Sequence, residues 1–469
     1  MRLRTVAVLG AWAALQVLAV GARAETLTGA LTRAYQGNPL LNAERARQRA
    51  TDEEIPQALS GYRPQVGLLL SAGLQGVRNL LPGGTNADGT LAPPFSESKM
   101  LYPWSAGLTI NQTLFNGFKT GNQVRRAEAQ VLSGREQLRA VEQSVLLDAV
   151  TAYMGVIANQ GLVEAQRTNV QFLRELRATT QRRYEAGDVT PTDVAQAEAR
   201  LNRGIADLNN VEINLAVSQA TYAQIIGSPP GRLVPAEPID HLLPRQREQA
   251  QAISRAEHPA ILGAAFDVDA AQRAVNVAEA ALYPTVGVQG SISRSFQTDT
   301  TFGSTRSDVA GVVGNVNVPV YDGGTAASQV RQSKELLSQA RILLDRARTQ
   351  AQLAVTAAWV THEGARIALN AAQSEVRAAE LALSGVQREA QAGQRTTLDV
   401  LNSQQDLTLA RSRLIVAQRD RVVASYTLLS AIGRLNHVKL ALNTPDYDPQ
   451  VHYQQVRDAW HGVRTPSGQ

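Results

Sequence analysis

Two eight-residue stretches carry the densest polar pattern in the chain. Gly187-Asp188-Val189-Thr190-Pro191-Thr192-Asp193-Val194 and Gly393-Gln394-Arg395-Thr396-Thr397-Leu398-Asp399-Val400 share Gly, Thr, Asp and Val at the same places, 206 residues apart. A Thr three residues before an Asp reads as a helix N-cap with its capping-box acid. Pro191 suits the first helical position. Asp193 and Asp399 then sit near the positive end of a helix dipole. This is chemistry for holding and presenting charge, not for making bonds. The chain has no H-E-x-x-H, no G-x-x-x-x-G-K-[ST] and no G-x-S-x-G. Its six histidines are scattered, and it has no Cys, so thiolate ligands, disulfides and lipid-bearing cysteines are excluded. Nothing points to an enzyme, a metal site or a cofactor.

Those turns need elements to position them, and the chain writes the elements twice. Asn38-Pro39 matches His258-Pro259, and Pro64-Gln65-Val66-Gly67 matches Pro284-Thr285-Val286-Gly287, both 220 residues apart. From Phe115-Asn116-Gly117 against Tyr321-Asp322-Gly323 through Ile226-Gly227 against Ile432-Gly433 the offset is 206. The first copy's 14 extra residues therefore lie between Gly67 and Phe115, where Leu81–Gly89 reads as a loop. The copies are 25–227 and 252–433. Each predicts a helix (27–60; 252–282), a strand (64–75; 284–296) and a second strand (104–114; 309–320). A long helix (118–184; 325–391), a turn and a returning helix (191–226; 397–432) complete each copy. A Pro-rich connector, 228–251, joins the copies, and a polar tail, 434–469, reads as irregular.

The long helices carry a thin stripe, Leu138, Val141, Val145, Ala149, Ala152 and Val156, in steps of three and four. About 65 helical residues span roughly 100 Å, a length at home in helical arrays. The strands alternate strictly: Val66, Leu68, Leu70, Ala72, Leu74, then Trp104, Ala106, Leu108, Ile110, with the second copy alike. About ten residues is the length of a tilted strand crossing a membrane. Tyr62, Tyr102, Trp104, Phe115, Phe118, Tyr283, Phe296 and Tyr321 gather near the strand ends, as interfacial aromatics do. The smallest closed barrels have about eight strands, so four strands per chain must be completed by further copies. The alternative is a periplasmic coiled-coil adaptor or scaffold without a pore.

With 469 residues and a net charge of +5, the chain is a poor footprint for nucleic acid. Arg2, Arg4, an apolar run and Ala22-Arg23-Ala24 read as a secretion signal, 1–24, cleaved before Glu25. Its removal leaves 43 basic and 41 acidic residues, a net of +2. No later stretch reaches 18 consecutive apolar residues, so no membrane-spanning helix is expected.

The order of elements, with Asn38-Pro39, Leu114-Phe115-Asn116-Gly117, Val320-Tyr321-Asp322-Gly323-Gly324 and Gly393 to Leu401, resembles the outer-membrane efflux protein family, the TolC-like channel-tunnels. The resemblance covers about Leu27 to Leu435. It implies a membrane β-barrel joined to a long α-helical barrel, built from the duplicated unit as a homotrimer with twelve strands. It implies a passive exit duct in the cell outer membrane with its helices in the periplasm. Such a duct contacts outer-membrane lipid, a periplasmic adaptor and an inner-membrane transporter, for efflux or type I secretion. In that family, the helix pair around the second copy's tip turn closes the periplasmic entrance, polar links hold it shut, and acidic side chains ring the opening. The match carries Arg395 over as a linking cation and Asp399 as a ring acid, which in a trimer attracts cations. Asp193 is the first-copy counterpart of Asp399. Asn402 stands where a second ring acid is often found, and Ala390 where a linking Tyr is found. Gly187, Thr190, Gly393 and Thr396 shape the two tip turns.

Overall fold

The computed structural model describes residues 25–299, 303–466 and 468; the expected signal segment, 1–24, lies outside them. The first expected helix is three: α1 (Leu27–Gly37), α2 (Pro39–Asp52) and α3 (Glu54–Leu59). The expected helix 252–282 is two, α6 (Arg247–Glu257) and α7 (Pro259–Glu279), so the connector 228–251 is shorter than the sequence suggested. The breaks fall at Asn38 and His258, both extended (ψ +123°), because proline bars helix at the residue before it. Each then caps the next helix. Asn38 Oδ1 accepts from the Leu40 amide at 2.9 Å, and His258 Nδ1 accepts from the Ala260 amide at 3.2 Å. Burial pushes the His258 pKa down, which keeps that nitrogen an acceptor.

The strands also depart from expectation. Instead of 64–75 and 104–114, the first copy forms β1 (Gln65–Ala72), β2 (Gln75–Leu81) and β3 (Phe95–Asn116). β4 (Thr285–Asp299) and β5 (Gly303–Asn317) replace 284–296 and 309–320. Five strands therefore fill four rails, in the order β1-β3-β4-β5 with β2 also on β3, all antiparallel. The break between β1 and β2 lies opposite Pro103, which has no amide proton for the ladder. The extra residues of the first copy, read as loop, largely extend this hairpin, with Gln75 to Leu81 paired on Phe95 to Leu101. Alternation could not reveal that arm, because Gln75–Leu81 and Phe95–Leu101 do not alternate apolar with polar residues.

The helices α4 (Lys119–Glu185) and α8 (Thr325–Gln391) have 67 residues each. The returning helices are α5 (Pro191–Ile226) and α9 (Thr397–Ala431). One 18-residue window of α4 is apolar enough to cross a membrane by length and composition, against expectation, but over half of it is buried inside the protein.

The compact units are not the two repeats. One comprises 25–49, 133–265 and 343–449; the other 50–132, 266–342 and 450–466 with 468. The reason is β3 pairing with β4, from Asn116↔Thr285 to Leu101↔Asp299. Each repeat's inner strand takes its hydrogen bonds from the other repeat. In the first unit, α1, the middle of α4 and the end of α9 share one core, with Leu31, Leu146, Val150, Tyr153, Leu428 and Ile432 almost fully buried. In the second, Ile55 packs on Ala127 and Val131.

Over its described residues the tail is irregular, as read, except for one helix. This is α10 (Pro449–Val456), with Pro449 at the first helical position. Within the first unit, His437 stacks on Tyr35 at 4.5 Å. Its Nδ1 lies 2.8 Å from Glu142 and its Nε2 2.8 Å from Asp446. Only an imidazolium donates from both nitrogens. The bond to Glu142 leads in raising the His437 pKa, against the opposing effect of burial. A raised folded pKa means that this clasp stabilises fully below about pH 6.5, the ordinary His value. The contribution is lost as pH rises through the folded value. Once the intrinsic base-catalysed rate is divided out, the protection of residues 437–447 against hydrogen exchange should therefore fall from neutral to alkaline pH, and His437→Gln should remove that fall.

Gly227 and Gly433 occupy equivalent helix ends, at φ +87° and +83°. A Cβ at Gly227 meets open space, whereas at Gly433 it falls 2.7 Å from the His258 Cα. Gly227→Ala should cost about 1–2 kcal/mol from left-handed strain alone. Gly433→Ala should cost clearly more in a denaturant titration; equal losses would refute the collision.

Candidate functional site

Both tip turns are built alike from local bonds. After α4, the Asp188 amide reaches back to the Arg183 carbonyl at 2.8 Å and Gly187 takes φ +84°. After α8, the Gln394 amide reaches Glu389 at 2.8 Å and Gly393 takes φ +76°. This six-to-one bond with a left-handed glycine is the Schellman arrangement. A capping box follows in each. Asp193 Oδ2 accepts from the Thr190 amide at 2.9 Å, and Thr190 Oγ1 accepts from the Asp193 amide at 3.4 Å. The same pair at Thr396 and Asp399 measures 2.9 and 3.2 Å.

These bonds set the charge. Asp399 is held below the usual carboxylate range, first by the Thr396 amide, then by its hydroxyl and by Arg395 nearby. Asp193 is lowered mainly by the Thr190 hydroxyl, then by its amide. Both residues are partly buried, and their carboxylates are anions at neutral pH. Arg395 bonds Glu389 of its own hairpin, Nε to Oε2 at 2.8 Å.

Asn402 is brought to a partner that the sequence did not announce. Arg200, two helical turns beyond Asp193 on α5, donates Nη2 to Asn402 Oδ1 at 3.1 Å and Nη1 to Gln405 Oε1. A single planar guanidinium thus ties the returning helix of one repeat to that of the other. Asn402 and Gln405 are three residues apart on one helix face, a spacing that could have marked them as a joint acceptor. Beneath this clasp, Asn169 Oδ1 on α4 accepts from buried Gln404 Nε2 at 3.2 Å and lies 3.1 Å from Thr408 Oγ1. A cavity of about 130 Å³ opens among Asn169, Leu173, Arg200, Gly204, Gln404 and Thr408. Ala390 sits against an apolar cluster around Leu383, Val400 and Leu407, so this position supplies packing rather than a polar link.

The aromatics fall in two groups along the sheet. Trp104 stacks on Phe296 at 5.2 Å, with Tyr102 two residues further along β3 toward the arm. At the opposite strand ends, Phe115 meets Phe118 edge-on at 5.3 Å. Tyr62 precedes β1 there, Tyr283 precedes β4, and Tyr321 follows β5, the last 86% exposed.

The family model for outer membrane efflux proteins matches residues 30–228 and 252–434. The chain belongs to the outer membrane efflux protein family. It is 41% identical to the outer membrane efflux protein BepC of Brucella suis over 449 residues, covering 95% of this chain and 94% of that one. It is 23% identical to the alkaline protease secretion protein AprF of Pseudomonas aeruginosa, over 74% of this chain and 73% of that one. Its fold is similar to that of the CmeC outer membrane channel of Campylobacter jejuni, with a TM-score of 0.74 at 15% identity, covering 92% and 89% of the two chains. The protein is thus a TolC-like outer-membrane channel with periplasmic helices, and a poreless scaffold is set aside.

Arg200→Ala leaves both Asn402 and Gln405 without their shared donor. Hydrogen exchange of residues 397–405 should quicken, with Arg200→Lys intermediate because an ammonium lacks the planar fork. Unchanged exchange in the alanine variant would remove Arg200 from the clasp.

Proposed function

We propose that three copies form a passive exit duct through the outer membrane, with a twelve-stranded wall and a periplasmic entrance lined by the tip turns. The observation that carries this reading is the pair of open sheet edges. β1 and β5 each present an unpaired ladder within the chain, and all eight residues of β1 and all 15 of β5 are exposed. In hydrocarbon each unpaired backbone group costs several kcal/mol. Pairing β5 of one copy with β1 of the next removes every edge. Two copies would give eight strands, a bore that side chains fill; three give twelve and a conduit.

The entrance reading concerns Asp399, Arg395, Asn402 and Asp193. Three Asp399 carboxylates around one axis favour cations. Asn402 contributes no charge and serves the Arg200 clasp, so Asp399 bears the selectivity. Arg395, braced by Glu389, is placed at the same turn to link neighbouring tips. The duct supplies no energy. It docks on a periplasmic adaptor and an inner-membrane transporter, and the name of AprF favours protein secretion as one of its uses.

Single-channel recording of detergent-purified protein, with its mass taken alongside, tests this. The expected result is a trimer with small, cation-selective conductance. Asp399→Asn should lower cation preference. Because its folded pKa is depressed, the wild-type preference should persist as pH falls to about 4 and fade below it. Arg200→Ala and Arg395→Ala should each raise resting conductance. A monomer that conducts nothing would overturn the proposal.

A further inference from the structure

The face of the sheet that bears Val66, Leu68, Leu108, Ile110, Ile292, Val312 and Val316 also bears three charges. Direct pairing settles this. Leu70 lies opposite Ala106, Ala106 opposite Arg294 and Arg294 opposite Asp308, while Trp104 lies opposite Phe296 and Phe296 opposite Arg306. Residues directly opposite share a face. Asp308 Oδ1 accepts from Arg294 Nε at 2.7 Å. Its Oδ2 accepts from Arg294 Nη2 at 3.2 Å and from Arg306 Nε and Nη2 at 3.0 and 2.5 Å. Both arginines are about half exposed.

Position along the strand gives this group its setting. β4 begins beside the helices at Thr285 and runs to Asp299, which pairs with Gly303. Arg294 lies eight residues beyond Val286, about 27 Å along the strand. At a tilt near 40° that is about 20 Å of depth, close to the height of the apolar band of a barrel, about 25 Å. The charges therefore stand at the outer margin, level with the Trp104–Phe296 pair. Tyr102, Thr298 and Ser304, opposite one another in the ladder, add hydroxyls just beyond. The cost of arginine on a lipid-facing position falls away only near that margin.

The group is unbalanced: two guanidinium cations share one carboxylate, leaving a charge of +1. Each guanidinium has five N–H donors and gives two to Asp308, which leaves three apiece for another acceptor. Asp308 thus braces two planar forks side by side, a geometry matched to a phosphate. Resting on the reading of this sheet as the membrane wall, we propose that Arg294 and Arg306, braced by Asp308, bind the phosphate of an outer-leaflet glycolipid at the rim of the barrel. The aromatic pair packs on its acyl side and the hydroxyls face its sugar.

Native mass spectrometry of the detergent-solubilised protein, titrated with lipid A and with dephosphorylated lipid A, tests the site. The wild type should retain lipid A at least tenfold more tightly than the dephosphorylated form. Arg294→Gln/Arg306→Gln should abolish that difference while still retaining the dephosphorylated lipid as the wild type does. Free glucosamine 1-phosphate should compete poorly; full competition would assign the site to a soluble phosphate and overturn the lipid assignment. Equal binding of the two lipid forms by the wild type would also overturn it. Should the double variant fail to assemble, the single variants Arg294→Gln and Arg306→Gln decide. Each should weaken the preference for lipid A over its dephosphorylated form, whereas an unchanged preference in both would overturn the site. Channel conductance, read separately, reports whether the sheet forms a membrane wall at all.

Discussion

A backbone amide that leaves water must find a carbonyl, and the sheet of this protein obeys that rule only in company. β3 and β4 come from different repeats and satisfy each other over fifteen residue pairs. Neither repeat could close its ladders alone, so the duplication in sequence is not a division in space. The compact units cut across it, one gathering the strands of both repeats and the other both returning helices with most of the long ones. The same rule applies at β1 and β5, whose outer ladders stay open within the chain and pair between copies in the proposed duct.

The helices solve a different problem with weaker forces. Their stripes are thin and rich in alanine, so association relies on close approach and on a few polar locks. The Arg200 clasp and the Asn169–Gln404 contact are such locks, each tying helices of different repeats. A buried polar contact favours one register over its neighbours, because a slip leaves donors unpaired. The tips use local bonds instead. Schellman turns and capping boxes complete themselves within about a dozen residues, so the shape of each tip is set locally.

Channel function follows from these arrangements by electrostatics and shape rather than by reaction chemistry. In the proposed duct, the tip carboxylates would act on the sign of what enters. The small polar residues on the other face of the sheet, such as Ser105, Gly107, Thr109, Ser291 and Ser293, suit a water-lined wall opposite the apolar face. The tail, read as irregular, proved to be anchored by His437, Glu142 and Asp446. Its polar composition concealed ion pairs that only spatial neighbours could complete.

The sequence alone determined the repeated order of elements, the long helices, the alternating faces, the tip glycines and both capping boxes. All of these depend on residues a few positions apart, where spacing is geometry. It missed the breaks at Asn38 and His258, although the prolines that cause them were in view, because the helical stripe resumes beyond each break. It also missed the hairpin arm, whose residues carry no hydrophobic period. Only the tertiary structure decided that β3 pairs with β4, that Arg200 holds Asn402, that the tail docks, and that Arg294, Arg306 and Asp308 stand together on the apolar face. Arg200 and Asn402 are 202 residues apart. No local preference encodes such a meeting; it is fixed by which ladders and cores must be satisfied at once.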